Sequence, residues 1–208
     1  SDGAGERWAV AAGFEVVHRS VTQSLEVASV DPRRWHVSSP AGYYTLRWRG
    51  AAPEDVVESF VRSRVAVDDA PRGAVSRKLP DWTVASLRAQ EAGYRERAFE
   101  YFVVAACRED GEVVGFTEIL VHPSEPTMAM QQFTAVLPEH RGHGLGRVVK
   151  AEMMRWLMAA GTEIATVTTS TAAANVHMRQ VNEQLGYVTT RSAAVVEGDV
   201  AAVAARIG

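Results

Sequence analysis

Between Leu145 and Ala160 apolar residues recur at helical spacing: Leu145, Val148, Val149, Met153, Trp156, Leu157 and Ala160 mark one stripe, and Lys150, Glu152 and Arg155 fall largely off it. Gly161 supplies a C-terminal stop. Just upstream, residues 128–136 mix apolar, β-branched and aromatic positions with two glutamines, the pattern of a strand, and Pro138 removes a backbone donor beyond its end. Earlier in the chain, alternation of Tyr44, Leu46 and Trp48 predicts a strand over 43–49, followed by a helix from Pro53 to about Val65. A loop carrying Pro71, Gly73 and Pro80 leads to a second helix over 82–97, with Leu87, Glu91 and Tyr94 near one face and Gly93 weakening it. Strands near 99–108 and 112–121 meet at the Asp110-Gly111 turn. A short helix from about Ala173 carries the stripe Met178, Val181 and Leu185, and Gly186 ends it before Tyr187 opens a last strand. The order β-α-α-β-β-β-α-β-α-β gives, from periodicity alone, a mixed α/β class.

The junction between the 128–136 strand and the 145–160 helix carries the most chemistry. Glycines at 142, 144 and 146 let the backbone gather several N–H groups at a helix N-terminus, where the dipole favours an anion. A tight turn alone explains glycines after a strand equally well. Two phosphate loops are excluded: no Gly-Lys-Ser/Thr follows, and the glycine spacing is not the GxGxxG of a dinucleotide fold.

Arg141, Gly144 and Gly146 fit the pattern Gln/Arg-x-x-Gly-x-Gly/Ala, which resembles motif A of the GCN5-related N-acetyltransferases (GNAT). Residues 132–150 and 169–187, the latter reading TSTAAANVHMRQVNEQLGY, look like the two halves of an acetyl-CoA site in an actinobacterial tandem-GNAT branch related to mycothiol synthase. The resemblance implies the GNAT fold, a mixed, mostly antiparallel sheet flanked by helices, with acetyl-CoA as co-substrate and no metal. It also implies that pyrophosphate is held by the backbone of Arg141, Gly142, His143, Gly144, Leu145 and Gly146, with Arg147 nearby. A bulge would splay the preceding strand so that Thr134, Ala135 and Val136 pair with the pantetheine arm as though it were an added strand.

In the second half Asn175, Met178 and Asn182 are the implied coenzyme contacts. Asn175 and Asn182 are seven apart, on nearly one helix face, although capping explains Asn175 equally well. Many family members carry a tyrosine four residues before the closing Gly-Phe pair and use its phenol to protonate the departing thiolate; this chain has Asn182, which cannot donate a proton in that way. The family's frequent strand glutamate is also missing, with Met130, Gln131 and Gln132 in its region. The candidate base is Glu118, on the strand 113–121, against the alternative of a solvated carboxylate on a half-exposed strand. His122, His143 and His177 sit where surface roles are the default. Alignment alone can lower a barrier by roughly 7–11 kcal/mol, so direct transfer to a small-molecule amine does not require a strong acid. The alternative is a non-catalytic module that binds coenzyme A and serves assembly or sensing.

Composition changes the picture little: 208 residues, 47% hydrophobic, with a net charge of −3 suit one core of good size. No basic face or aromatic RNA-binding motif suggests nucleic acid, no apolar run suggests a membrane, and the absence of a signal peptide favours the cytoplasm. The single cysteine, Cys107, lies in an apolar strand and is expected in the core. Residues 1–40 stand outside the main domain, expected over 41–208. Residues 7–21 can be laid over 181 onward so that Gly13-Phe14 meets Gly186-Tyr187, which reads as the closing helix and strand of a preceding GNAT-like module, with 31–40 as linker. The expected partners are therefore the small amine and either that missing module or a second copy, joined by strand exchange into a homodimer.

Overall fold

The structure, a computed structural model, describes residues 3–69 and 81–207; the loop expected around Pro71, Gly73 and Pro80 lies outside the described residues. The elements in chain order are α1 (Ala4–Ala11), β1 (Glu15–Glu26), β2 (Tyr43–Arg49), α2 (Val57–Arg64), α3 (Val84–Glu96), β3 (Glu100–Arg108) and β4 (Val113–Val121). They continue with β5 (Met128–Val136), α4 (Leu145–Ala159), β6 (Thr166–Ala172), α5 (Val176–Leu185), β7 (Val188–Glu197) and α6 (Val200–Ile207). From β2 to β7 this is the predicted order. Local chemistry sets the helix starts. Pro53 opens a turn closed by the Val56 amide, and α2 begins only after it. Thr83 and Ser86 cap α3 reciprocally, each side-chain oxygen accepting the other's backbone N–H.

All strands lie in one sheet, ordered β2-β3-β4-β5-β6-β1-β7. Every neighbouring pair is antiparallel except β5 and β6. Helices cover both faces, so all nine residues of β4 are buried. On one face α4 and α5 enclose Leu25, Trp35, Ile119, Met153 and Leu185; on the other α2 and α3 enclose Trp48, Phe60, Leu87, Cys107 and Phe116. Lys150 departs from expectation: it is buried, because α4 lies flat over β3, β4 and β5 and the covered arc is wider than the apolar stripe.

The first residues form the expected helix and strand, and β1 lies inside the main sheet. It is antiparallel to β6 on one edge and to β7 on the other. With both edges paired in its own chain, β1 needs no second copy to complete it. The units α1–β1 and α5–β7 resemble each other locally: Gly13 (φ 98°) and Gly186 (φ 104°) close the two helices in the left-handed conformation that favours glycine. The connection to β2 packs tightly. The Trp35 indole N–H donates to the Leu185 carbonyl at 3.0 Å, and a Cβ on Gly186 would fall 2.6 Å from Val30.

Candidate active site

The strands β5 and β6 part company. They pair in parallel only from Met128 to Gln131, opposite Thr166 to Thr169, while β5 stays paired to β4 as far as Val136. Between the rungs Thr117–Thr134 and Ile119–Gln131, two residues of β5, Gln132 and Phe133, stand opposite one of β4, Glu118. This is a β-bulge, and it turns Thr134, Ala135 and Val136 away from β6. A cleft therefore opens beyond Gln131, flanked by backbone that β6 does not use.

Beyond the cleft comes the glycine turn. Gly142 (φ 83°) and Gly144 (φ 75°) both take the left-handed conformation, and Gly144 is the N-cap of α4; it offers no side-chain cap, and its carbonyl already takes the Arg147 and Val148 amides at 3.0 and 3.1 Å, which leaves those of Leu145 and Gly146 for a ligand. Leu145 is buried and anchors that turn to the core. The loop is braced from behind: the Tyr43 hydroxyl lies 2.9 Å from His140 Nδ1, and His143 Nδ1 faces the His140 and Arg141 carbonyls at 3.3 and 3.1 Å. Arg141 also serves the loop, its amide donating to Pro138 O at 3.2 Å and its guanidinium to Val136 O at 3.0 Å and Asp69 at 2.6 Å. The Arg141 amide is thus used within the loop.

A groove of ≈690 Å³ runs beside this turn, lined by Arg34, Arg147, Gln180, Glu183 and Gln184. Arg147 Nε is buried there with no hydrogen-bond partner. The cradle fits a phosphorylated ligand: an uncapped helix N-terminus, a cleft with strand backbone that β6 does not use, and the Arg34 and Arg147 side chains lining the groove beside that terminus.

The second half is placed differently from expectation. Asn175 caps α5, its Oδ1 accepting from the Met178 amide at 3.2 Å. Met178 is half-buried and packs against the core, whereas Asn182 is 0% exposed and donates to Gln23 Oε1 on β1 at 2.8 Å. The two asparagines do not form one polar face, because α5 packs with the Asn182 side inward. Asn182 Oδ1 and Gln23 Nε2 are left buried without partners.

Glu118 is not a solvated carboxylate. It is 1% exposed and ion-paired to Arg64, itself 0% exposed, and Glu118 Oε1 accepts from the Tyr101 hydroxyl at 2.6 Å. The Arg64 guanidinium lies within cation–π range of Trp82 (4.6 Å), Phe60, Phe116 and Phe133, and donates to Gln90 at 3.2 Å. Burial, and then the charge of Glu118, hold the Tyr101 phenol well above its usual range.

Sequence reasoning missed a second buried cluster. On the α4 side of the sheet, Lys150 Nζ donates to Gln131 Oε1, which also accepts from the Tyr187 hydroxyl at 2.7 Å. Gln131 Nε2 donates to Thr117 Oγ1 at 2.6 Å, and the Thr117 and Thr134 hydroxyls meet at 2.7 Å. A period-2 reading of β5 was the available signal, since it puts Gln131 on the same inward face as Ala129. Burial pushes the Lys150 ammonium down to about 7.

That shift has a sign. The unfolded chain holds the proton up to about pH 10.4 and the folded chain only to about 7, so the penalty is full below pH 7 and fades as pH rises toward the unfolded value. Lys150→Met should therefore gain stability relative to wild type at pH 6, on the order of a few kcal/mol, with the advantage shrinking by pH 9. Urea unfolding of both proteins at the two pH values checks this.

The comparisons with known proteins agree with this geometry. The family model described as "Acetyltransferase (GNAT) family" matches residues 65–187. A tandem GNAT protein from the clavulanic acid biosynthesis pathway superposes with a TM-score of 0.71 at 23% identity, covering 96% of this chain and 61% of that one. A GCN5-related N-acetyltransferase from Sphaerobacter thermophilus superposes at 0.68 with 13% identity (94% and 57% covered), and one from Kribbella flavida at 0.56 with 16% (95% and 66%). This chain therefore spans about three fifths of the length of the first two. No curated protein sequence matches it. Cleft, glycine turn, sheet order and family model converge: the chain belongs to the GNAT family of acetyltransferases.

Proposed function

We propose that the protein binds acetyl-CoA and transfers the acetyl group directly to the amine of a small molecule. The observation that carries this reading is the β5–β6 cleft opening onto the left-handed glycine turn at the head of α4. Residues 142–146 would hold the pyrophosphate through backbone amides, Arg147 would add charge, and Thr134, Ala135 and Val136 would align the pantetheine arm along β5. Bound acetyl-CoA supplies an activated thioester carbonyl. Alignment by the cleft supplies most of the rate, since Asn182 offers no phenol. Cys107 is buried, and burial raises its thiol to about 11, which favours direct transfer over an acyl-enzyme.

Isothermal titration with acetyl-CoA, followed by thiol release over a panel of amines, tests the reading. Gly144→Val should weaken acetyl-CoA binding by about a hundred-fold or more, because a β-branched residue at φ 75° is strained and its side chain intrudes on the phosphate approach. Unchanged affinity would sink the assignment. The Gln23–Asn182 bond, which fills the site of the usual proton donor, favours one rival: a non-catalytic coenzyme-binding module. Tight binding without thiol release on any amine would select it.

Residues 1–40 belong to the same proposal as the end of a preceding GNAT-like module and its linker. The recurrence of helix, left-handed glycine, aromatic residue and strand at Gly13-Phe14 and Gly186-Tyr187 supports this reading.

A further inference from the structure

Lys150 is 2% exposed, and among the described residues no carboxylate reaches its ammonium group. Glu152, the next acid along α4, is held by Arg47 and Arg155. The groups that face Lys150 are the Gln131 amide from β5 and Tyr187, just before β7, over whose ring Nζ lies at 4.9 Å; Thr117 of β4 and Thr134 of β5 close the cluster through Gln131. Tyr187 is the titratable one, and burial raises its phenol, so it stays neutral. A buried cation without a counter-ion is costly, and an anion that arrives with a ligand removes that cost.

The position of the cluster says which anion. Gln131 is the last rung of the β5–β6 ladder, and the cleft begins immediately beyond it. We propose that Lys150 regains a positive charge beneath the mouth of this cleft as the coenzyme thiolate forms there, and thereby stabilises the thiolate that leaves on acyl transfer, in place of the proton donor that Asn182 does not provide. The inference rests on the coenzyme reading above. In the step itself the amine nitrogen's lone pair forms the C–N bond and the C–S bond breaks with its electron pair on sulfur. The proton lost by nitrogen ends on the thiolate or in solvent, so amine and thioester become amide and thiol. Lys150 acts at a distance, touching β5 only through Gln131 Oε1, and it is a positioning residue.

Free coenzyme A is the probe, because its thiol reports the field without any acceptor. The thiolate absorbance of coenzyme A is followed against pH, free and bound to wild type, Lys150→Met and Lys150→Arg, with circular dichroism confirming the fold. Bound to wild type, the thiol should lose its proton at least about ten-fold more readily than in solution, one unit of pKa. Lys150→Met should abolish the difference, and with it the roughly ten-fold tighter binding of the thiolate form that the same linkage requires at high pH, and Lys150→Arg should restore part of it. An unshifted thiol on wild type overturns the inference, as does an equal shift on Lys150→Met; should that variant not fold, the wild-type comparison with free coenzyme decides. Failure of wild type to bind coenzyme A at all overturns the coenzyme reading instead.

Discussion

Glu118→Ala should destabilise the protein by about 3–5 kcal/mol, because it strands the Arg64 guanidinium in the core. Arg64 is 0% exposed and enclosed by four aromatic rings, so water cannot replace the lost carboxylate. The Tyr101 hydroxyl, at 2.6 Å from Glu118 Oε1, loses its acceptor in the same substitution. Glu118→Gln keeps an oxygen for both donors and should cost less. Replacing Arg64 and Glu118 together by Met and Leu should recover much of the loss, since the pair's desolvation then disappears with its attraction. Urea unfolding of the four proteins measures each quantity. The same set separates structure from chemistry. If Glu118 also acts as the base, Glu118→Gln lowers turnover at unchanged acetyl-CoA affinity; unchanged turnover would remove it from the mechanism and leave the ion pair as a core element beneath the bulge.

What was legible in the sequence was local. The strand, glycine turn and helix over 128–160 follow from hydrophobic period and from glycine's access to positive φ, and both need only neighbours in the chain. The Asn175 cap is local in the same sense: an asparagine three residues before the amide it bonds. What was not legible depended on which surfaces meet. Glu118 pairs with a residue 54 positions away, and a lone carboxylate in a strand carries no sign of that. Lys150 falls off the apolar stripe of α4 yet is buried, because the helix rests on three strands at once. Asn182 turned inward because β1, from the far end of the chain, brings Gln23 under α5. The position of β1 itself needs a pairing across nearly the whole sequence, from Glu15 to Glu197, which no periodicity encodes.

A chain lacking residues 1–28 should fail to show a cooperative unfolding transition. β1 is hydrogen-bonded along both edges, so its removal orphans the backbone of β6 and β7 together. It also strips the core of Val21 and Leu25, and of Val27 just after the strand, at about 2 kcal/mol each, which already approaches the whole stability of an ordinary domain. Gln23 leaves with them, and the buried Asn182 amide then has no partner. The sheet has one means of repair. β6 and β7 both run antiparallel to β1 and hence parallel to each other, so β7 could close the gap by sliding one strand spacing, about 4.8 Å, with α5 as the crossover. That slide would pull α5 off Trp35, whose indole holds the Leu185 carbonyl, and off Val30, against which Gly186 is packed. Repair therefore costs contacts that the truncated chain still has. Circular dichroism with urea titration gives the answer, and a peptide of residues 3–28 added in trans should restore the transition in proportion to its concentration. A truncated chain that unfolds at the wild-type midpoint would show that β1 is an accessory strand and that the sheet closes without it.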